Sequence, residues 1–171
     1  MTVPPSYPLR PFLPGDTMAL RDLFAASIEE LTQDDYDEEQ RIAWASRAAE
    51  AEDFMRHLAG MTTLVVEVDG EHIGFASLKN NNQLDMLYVH PYYAGQGVGT
   101  TLTEALERIA KGRGATDITV EASETAVLFF EARGYVAQSR NSVPVEDLRL
   151  TNTTMKKVLV AASETPVETN E

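Results

Sequence analysis

The sequence predicts an α+β domain: one mixed, mostly antiparallel sheet of six to seven strands, flanked by about four helices. Three observations carry that expectation. Strand-like runs between Thr62 and Val89 are joined by the turn signals Asp69-Gly70 and Asn80-Asn81-Asn82, the pattern of a three-stranded meander. The third run passes through a glycine-rich loop into a helix with apolar Leu102, Ala105, Leu106 and Ile109 at one-face spacing. Read along the whole chain, the order of elements is β-α-α-β-β-β-α-β-α-β-β.

The elements follow from local chemistry. Residues 7–13 predict an opening strand that Pro8 and Pro11 confine to a sheet edge. Pro14-Gly15-Asp16 is a turn, with Asp16 expected to cap a helix whose inner face carries Leu20, Leu23, Phe24, Ile28 and Leu31. Residues 32–39 form an acidic patch around Tyr36. A second helix is expected from about Glu38 to a Gly60 cap, with Ile42, Ala45, Ala49, Phe54 and Leu58 inward. Strands follow at 62–68, 71–79 and 84–89, the last stopped by His90-Pro91. Gly112 and Gly114 end the next helix, and 116–120 is a strand. Ser123 is read as the cap of a short helix reaching Arg133. Gly134 opens another strand, and residues 148–159 form the last. Residues 7–160 thus predict one domain and 161–171 a disordered tail.

Composition narrows the class. A chain of 171 residues with 43% apolar content suits one domain with its own core. No apolar run reaches membrane-spanning length, and the first residues lack a basic-then-apolar leader, so a cytoplasmic protein without a membrane partner is expected. The absence of cysteine removes disulfides, thiolate metal sites and a cysteine nucleophile, and no metal is expected. A formal charge of −13 argues against nucleic acid and is compatible with a cationic acceptor.

The chemistry concentrates at residues 84–101. Gly95, Gly97 and Gly99 alternate just before a helix, presenting bare N–H groups and a positive helix end to an anion. A Walker A loop would need Gly-Lys-Ser/Thr, and the loop has no lysine. A dinucleotide fingerprint would need Gly-x-Gly-x-x-Gly, and the spacing here is Gly-x-Gly-x-Gly. A pyrophosphate cradle of another kind remains.

The stretch resembles the cofactor loop of the GNAT acetyltransferases, roughly Val-x-Pro-x-x-Arg/Gln-Gly-x-Gly-x-Gly/Ala, on which Val89, Pro91, Gly95, Gly97 and Gly99 fall; Ala94 replaces the usual Arg or Gln. Residues 126–135, Ala-Val-Leu-Phe-Phe-Glu-Ala-Arg-Gly-Tyr, resemble a second segment of that family, with Phe130 where many members carry tyrosine. Asp35-Tyr36, Gln40, Ala43-Trp44 and Val120-Glu121-Ala122-Ser123 resemble a narrower bacterial group, the YafP-like stand-alone acetyltransferases.

The resemblance implies transfer of an acetyl group from acetyl-CoA to a primary amine by direct attack in a ternary complex. Gly95, Gln96, Gly97, Val98, Gly99 and Thr100 would bind the cofactor pyrophosphate, and Leu87, Tyr88 and Val89 its pantetheine arm. An N–H near Leu87 or Tyr88 would stabilise developing oxyanion charge. Asp85 is the candidate base, its plainer reading being a strand-end carboxylate in water or in an ion pair. Tyr88, Ser123 and Tyr36 are candidate acids. Tyr36 and Trp44 would floor the acceptor site, their plainer reading being a packed tryptophan beside a solvated acidic loop. His57 and His72 read as structural, His90 as shaping the turn, and Tyr135 as core. The expected acceptor is a small-molecule amine and the expected assembly a monomer or homodimer. Alternatives are a protein N-terminal or lysine acetyltransferase, and a non-catalytic CoA-binding module.

Overall fold

The computed structural model describes residues 7–159, so the tail expected at 161–171 lies outside the described residues. Seven strands form one sheet: β1 (Leu9–Pro11), β2 (Thr62–Val68), β3 (Glu71–Lys79), β4 (Gln83–Val89), β5 (Asp117–Ser123), β6 (Val136–Val145) and β7 (Leu148–Val158). Their order across the sheet is β1-β2-β3-β4-β5-β7-β6. Only β4 and β5 run parallel; the other neighbours are antiparallel. The helices are α1 (Thr17–Leu31), α2 (Glu38–Ala45), α3 (Ala51–Ala59), α4 (Val98–Gly112) and α5 (Val127–Glu131).

The meander forms where turn chemistry demands it. Asp69 and Gly70 both take positive φ, 51° and 82°, as do Asn80 and Asn81, at 51° and 63°. That is the backbone of primed turns, which match the twist of the strands they join.

Successive residues of β2 point to opposite faces, so the sheet carries two cores. Val65 and Phe75 pack with Leu20, Phe24 and Ile28 of α1 and with Phe54 and Leu58 of α3. Val66, Ala76, Leu78 and Leu84 pack with Leu102, Leu106 and Ala110 of α4. Phe24 and Leu102 are 1% and 0% exposed, and burying such a side chain is worth roughly 1.5–3 kcal/mol.

Four local expectations change. The single helix over 38–60 is two, because Ser46–Ala48 tighten into a 3-10 turn and Glu50 is extended at φ −93°, ψ 108°. The break releases backbone carbonyls, and Arg21 of α1 caps two of them: its Nε donates to Ala48 O at 2.6 Å and its NH2 nitrogen to Ala49 O at 2.5 Å. Ile42, expected inward, is 60% exposed, while Ala43 is buried. Asp16 stands at the N-cap position of α1, but its side chain makes no capping bond to that helix. A 3-10 turn over Pro14–Asp16 precedes the helix, and the Asp16 carboxylate instead accepts from Arg10 at 2.7 and 2.8 Å and from Leu13 N–H at 2.8 Å. It also lies 2.8 Å from His72 Nε2. Ser123 ends β5; α5 begins at Val127 behind Ala126, without a side-chain cap.

Candidate active site

The parallel pair β4–β5 is the weak seam of the sheet. It is registered only at Gln83–Thr119 and Leu84–Val120. Immediately afterwards β4 bulges: Leu84 pairs with Leu78 and Met86 with Ser77, leaving Asp85 without a partner residue on β3. A bulge bends its strand and re-aims the side chains around it. From Asp85 to Val89 the β5 side of β4 is therefore open, and the two strands diverge into a wedge.

Which backbone groups face that wedge follows from one bond. His90 N–H donates to Ile73 O at 2.9 Å. Antiparallel ladders alternate, so Tyr88 and Met86 are bonded to β3 while Leu87 and Val89 direct N–H and C=O into the wedge. Of the two N–H groups considered for oxyanion stabilisation, that of Leu87 is the one so aimed.

Beyond Val89 comes the glycine loop. Gly95 and Gly97 adopt φ 74° and 89°, a region other residues occupy only with strain, and a Cβ at either would meet nothing within 4 Å. Backbone conformation, with open space in front of it, sets the residue type here. Gly97 is the N-cap of α4 and offers no side-chain acceptor, so the first-turn N–H groups of Val98, Gly99 and Thr100 lack intrahelical partners. Gly99 serves differently: a Cβ there would sit 3.3 Å from the Phe129 ring, so its bareness lets α5 pack against the first turn of α4.

Wedge and loop belong to one cleft of about 1120 Å³, lined from both faces of the sheet. It collects Tyr36, Trp44, Asp85, Leu87, Tyr88, Val89, Gly95, Gly97, Val98, Gly99, Thr100 and Ser123. Gln96 is exposed outside that lining, with Nε2 donating to Tyr92 O at 3.1 Å.

At the mouth between α2 and α3 the polar groups are organised by contacts. His57 Nε2 lies 2.7 Å from Asp85 Oδ2, with the histidine side chain 46% and the aspartate 19% exposed. Trp44 Nε1 donates to Tyr88 Oη at 3.2 Å. The Tyr88 ring sits among Phe24, Phe75 and Trp44, and burial pushes its hydroxyl up to about 12, so it keeps its proton at neutral pH. Tyr36 is engaged: its hydroxyl donates to Thr151 O at 2.6 Å and accepts from Glu124 N–H at 2.9 Å. Burial raises its pKa too. With the Thr125–Asp35 bond at 2.7 Å, this latches the acidic loop over the ends of β5 and β7.

His57, expected to be structural, instead lines the cleft against Asp85. It lies 28 positions from Asp85, and no local pattern joins residues on a helix and a bulged strand. Arg133 was missed similarly. Its guanidinium stacks 3.6 Å over the Phe129 ring and its terminal nitrogens donate to Thr100 Oγ1 and, at 2.8 Å, to Phe129 O. Phe130 is 2% exposed, and its ring centroid lies 5.0 Å from that of Tyr135. Tyr135 donates to Glu107 Oε1 at 2.9 Å and its hydroxyl pKa is raised, chiefly by burial, as expected of a core aromatic. His90 shapes the turn by accepting from Tyr92 N–H at 3.1 Å. Asp16, Glu67 and His72 could together ligate a cation, but Arg10 spans the two carboxylates.

A split sheet whose free strand edge leads directly to an anion cradle defines a class: proteins that hold an extended, phosphate-bearing carrier along their own sheet. The comparisons give that class its family. Residues 32–159 match the family model of the acetyltransferase (GNAT) domain. The chain belongs to the GNAT acetyltransferases. It is 28% identical over 148 residues to the uncharacterized N-acetyltransferase YafP of Escherichia coli K12, covering 86% of this chain and 93% of that one. Among solved structures it superposes at TM-score 0.90 and 50% identity on the GCN5-related N-acetyltransferase "Aminotransferase, Class-II" of Rhodopseudomonas palustris, covering 92% and 99% of the two chains. It shares its fold with the PaiA N-acetyltransferase of Thermoplasma acidophilum, solved with coenzyme A, at TM-score 0.73 and 19% identity, covering 90% and 99%.

Proposed function

We propose that the chain moves an acetyl group from acetyl-CoA to a primary amine of a small molecule, the amine attacking directly within a ternary complex. The observation that carries this reading is the cleft itself. One arm runs from the open edge of Leu87 and Val89 to the first turn of α4, and the other ends at Asp85, His57 and Trp44.

Bound, acetyl-CoA supplies an activated acetyl thioester; the chain's residues do the rest. Leu87 and Val89 offer strand-like hydrogen bonds to an amide-bearing arm, and the Leu87 N–H offers a donor to a carbonyl oxygen gaining charge. Gly95 to Thr100 receive the pyrophosphate. An alkylammonium, with a pKa of about 10.4, must lose a proton before its nitrogen can attack. Asp85, held against His57, takes that proton at the bulge where β4 leaves β5. Trp44 and the Asp85 carboxylate, which line this arm, suit a cation, and Tyr36 holds the wall behind them.

Tyr88 and Ser123 border the wedge from its two strands. Tyr88, whose hydroxyl burial pushes up to about 12, keeps its proton and acts with the Ser123 hydroxyl as a hydrogen-bond donor to the departing sulfur. The thiolate takes up, through water, the second proton that the attacking nitrogen sheds as the amide forms.

Phe130 favours one other reading, a CoA-binding module without turnover, because no hydroxyl stands at that position. Thiol release measured over a panel of small amines, peptides with free N-termini and lysine peptides separates the readings. Turnover on a small amine is expected. Turnover only on peptides would make the chain a protein acetyltransferase, and CoA binding without turnover on any acceptor would make it a binding module.

A further inference from the structure

The loop from His90 to Thr100 contains neither lysine nor arginine, so a pyrophosphate lying there would meet no lysine or arginine side chain from the loop itself. Of the residues lining the cleft, Arg47 and Arg133 are the only arginines and none is lysine. Arg47 stands at the mouth bounded by α2 and α3, on the far side of the wedge from the loop. Arg133 lies beside Thr100, in the turn of α4 whose N–H groups lack intrahelical partners.

Three features set Arg133 apart from an ordinary surface arginine. No carboxylate lies within ion-pairing distance of it among the described residues. Glu104 and Glu107 act on it only from beyond that distance, and Glu107 is already taken by Lys157 Nζ at 3.0 and 3.1 Å and by Tyr135. Its Nε is buried without a hydrogen-bond partner, and the loss of hydration disfavours its charge. Its plane is also fixed rather than free, stacked on Phe129, which in turn sits against the bare Gly99. A partly desolvated guanidinium with no carboxylate in contact is left with unused donor capacity that an anion would complete. A fixed guanidinium fork is the side chain best matched to phosphate oxygens.

We propose that Arg133 is the cationic side-chain contact for the pyrophosphate of the acyl carrier, acting together with the first turn of α4. Gly99, Phe129 and Arg133 then form one device: the missing side chain seats the ring, and the ring holds the guanidinium over Thr100. This rests on the acetyl-CoA reading and names the side chain that secures that ligand.

The test is calorimetric titration of the full chain with CoA and with dephospho-CoA, which keeps the pyrophosphate and lacks only the ribose phosphate. Arg133→Gln should weaken both ligands by about tenfold or more, to the same extent. It should also flatten the fall of affinity with ionic strength, which a purely structural defect would not do. Arg133→Lys, which keeps the charge without the stack, should lie between the two and reads the same contact if the glutamine variant unfolds. Adding Ala94→Arg to Arg133→Gln, which moves the cation into the loop, should restore part of the affinity and of the salt dependence. An Arg133→Gln variant binding CoA within twofold of the native chain, with unchanged salt dependence, overturns the proposal. So does a loss confined to CoA and absent with dephospho-CoA, which would assign Arg133 to the ribose phosphate. Native chain binding neither ligand would instead sink the acetyl-CoA reading, and this inference with it.

Discussion

At the scale of single residues, the pairing of Asp85 with His57 alters what either would be taken for alone. An aspartate at a strand end is commonly solvated, but here the bulge lifts it from the β3 register and turns it toward α3, 2.7 Å from an imidazole that reaches solvent. A proton collected at Asp85 then has a route out through His57. Asp85→Asn should lower kcat about a hundredfold while CoA affinity stays within twofold, since neither residue borders the loop. His57→Gln should cost a similar factor, and the double variant little more than the worse single one, because the pair acts as a unit. Steady-state rates together with CoA calorimetry check this; additive losses, or a loss of CoA binding, would remove Asp85 and His57 from the proton path. The glycine loop was legible in sequence because its information is local. Positive φ at Gly95 and Gly97 leaves a mark in three neighbouring letters. His57 and Arg133 leave none, because their meaning comes from Asp85 and Thr100, 28 and 33 positions away.

At the scale of elements, the strands of the meander fall where turn chemistry places them, whereas helix boundaries shift with tertiary partners. The break between α2 and α3 is an example, since Arg21 on another helix satisfies the carbonyls that the break releases. Arg21→Ala should destabilise the fold by about 1–3 kcal/mol, read from denaturant midpoints, because it leaves those acceptors without their donor. A variant as stable as the native chain would show that the break is held by packing alone. Asp16 makes the same point for β1. Its carboxylate ties Arg10 of β1 to His72 of β3, and the Arg10 hydrogen bonds, with those from His72 and Leu13 N–H, hold it well below the usual carboxylate range. A carboxylate depressed in the folded state stabilises fully above the unfolded pKa of about 3.9 and loses that contribution as pH falls toward the folded value. Native chain should therefore exceed Asp16→Asn in stability at pH 7, and the gap should narrow steadily below about pH 4. A gap independent of pH would mean that shape at this buried site matters more than charge.

At the scale of the whole molecule, the fold spends a seam of its sheet to make a site. The core on the α4 side joins β2, β3 and β4 to β5 and β7, but among the described residues no strand fills the gap between Asp85–Val89 and Glu121–Ser123. The sequence betrays both strands and the loop beyond them; it does not betray the divergence, because nothing in either strand's composition says that its parallel partner is lost after two residue pairs. Such a seam leaves polar backbone in need of partners, and a ligand that supplies them should stabilise the molecule in that region first. At a hundredfold excess over Kd, CoA should add about 2.7 kcal/mol. For a chain of this length, that corresponds to a rise in Tm of roughly 5–10 °C. Amide hydrogen exchange should place the added protection at Leu87, Val89 and the first turn of α4. The β1–β2 edge, remote from the wedge, should change little. Protection spread evenly over the sheet, or absent at Leu87 and Val89 despite a raised Tm, would mean that the carrier does not pair along β4 and that the wedge is a feature of packing.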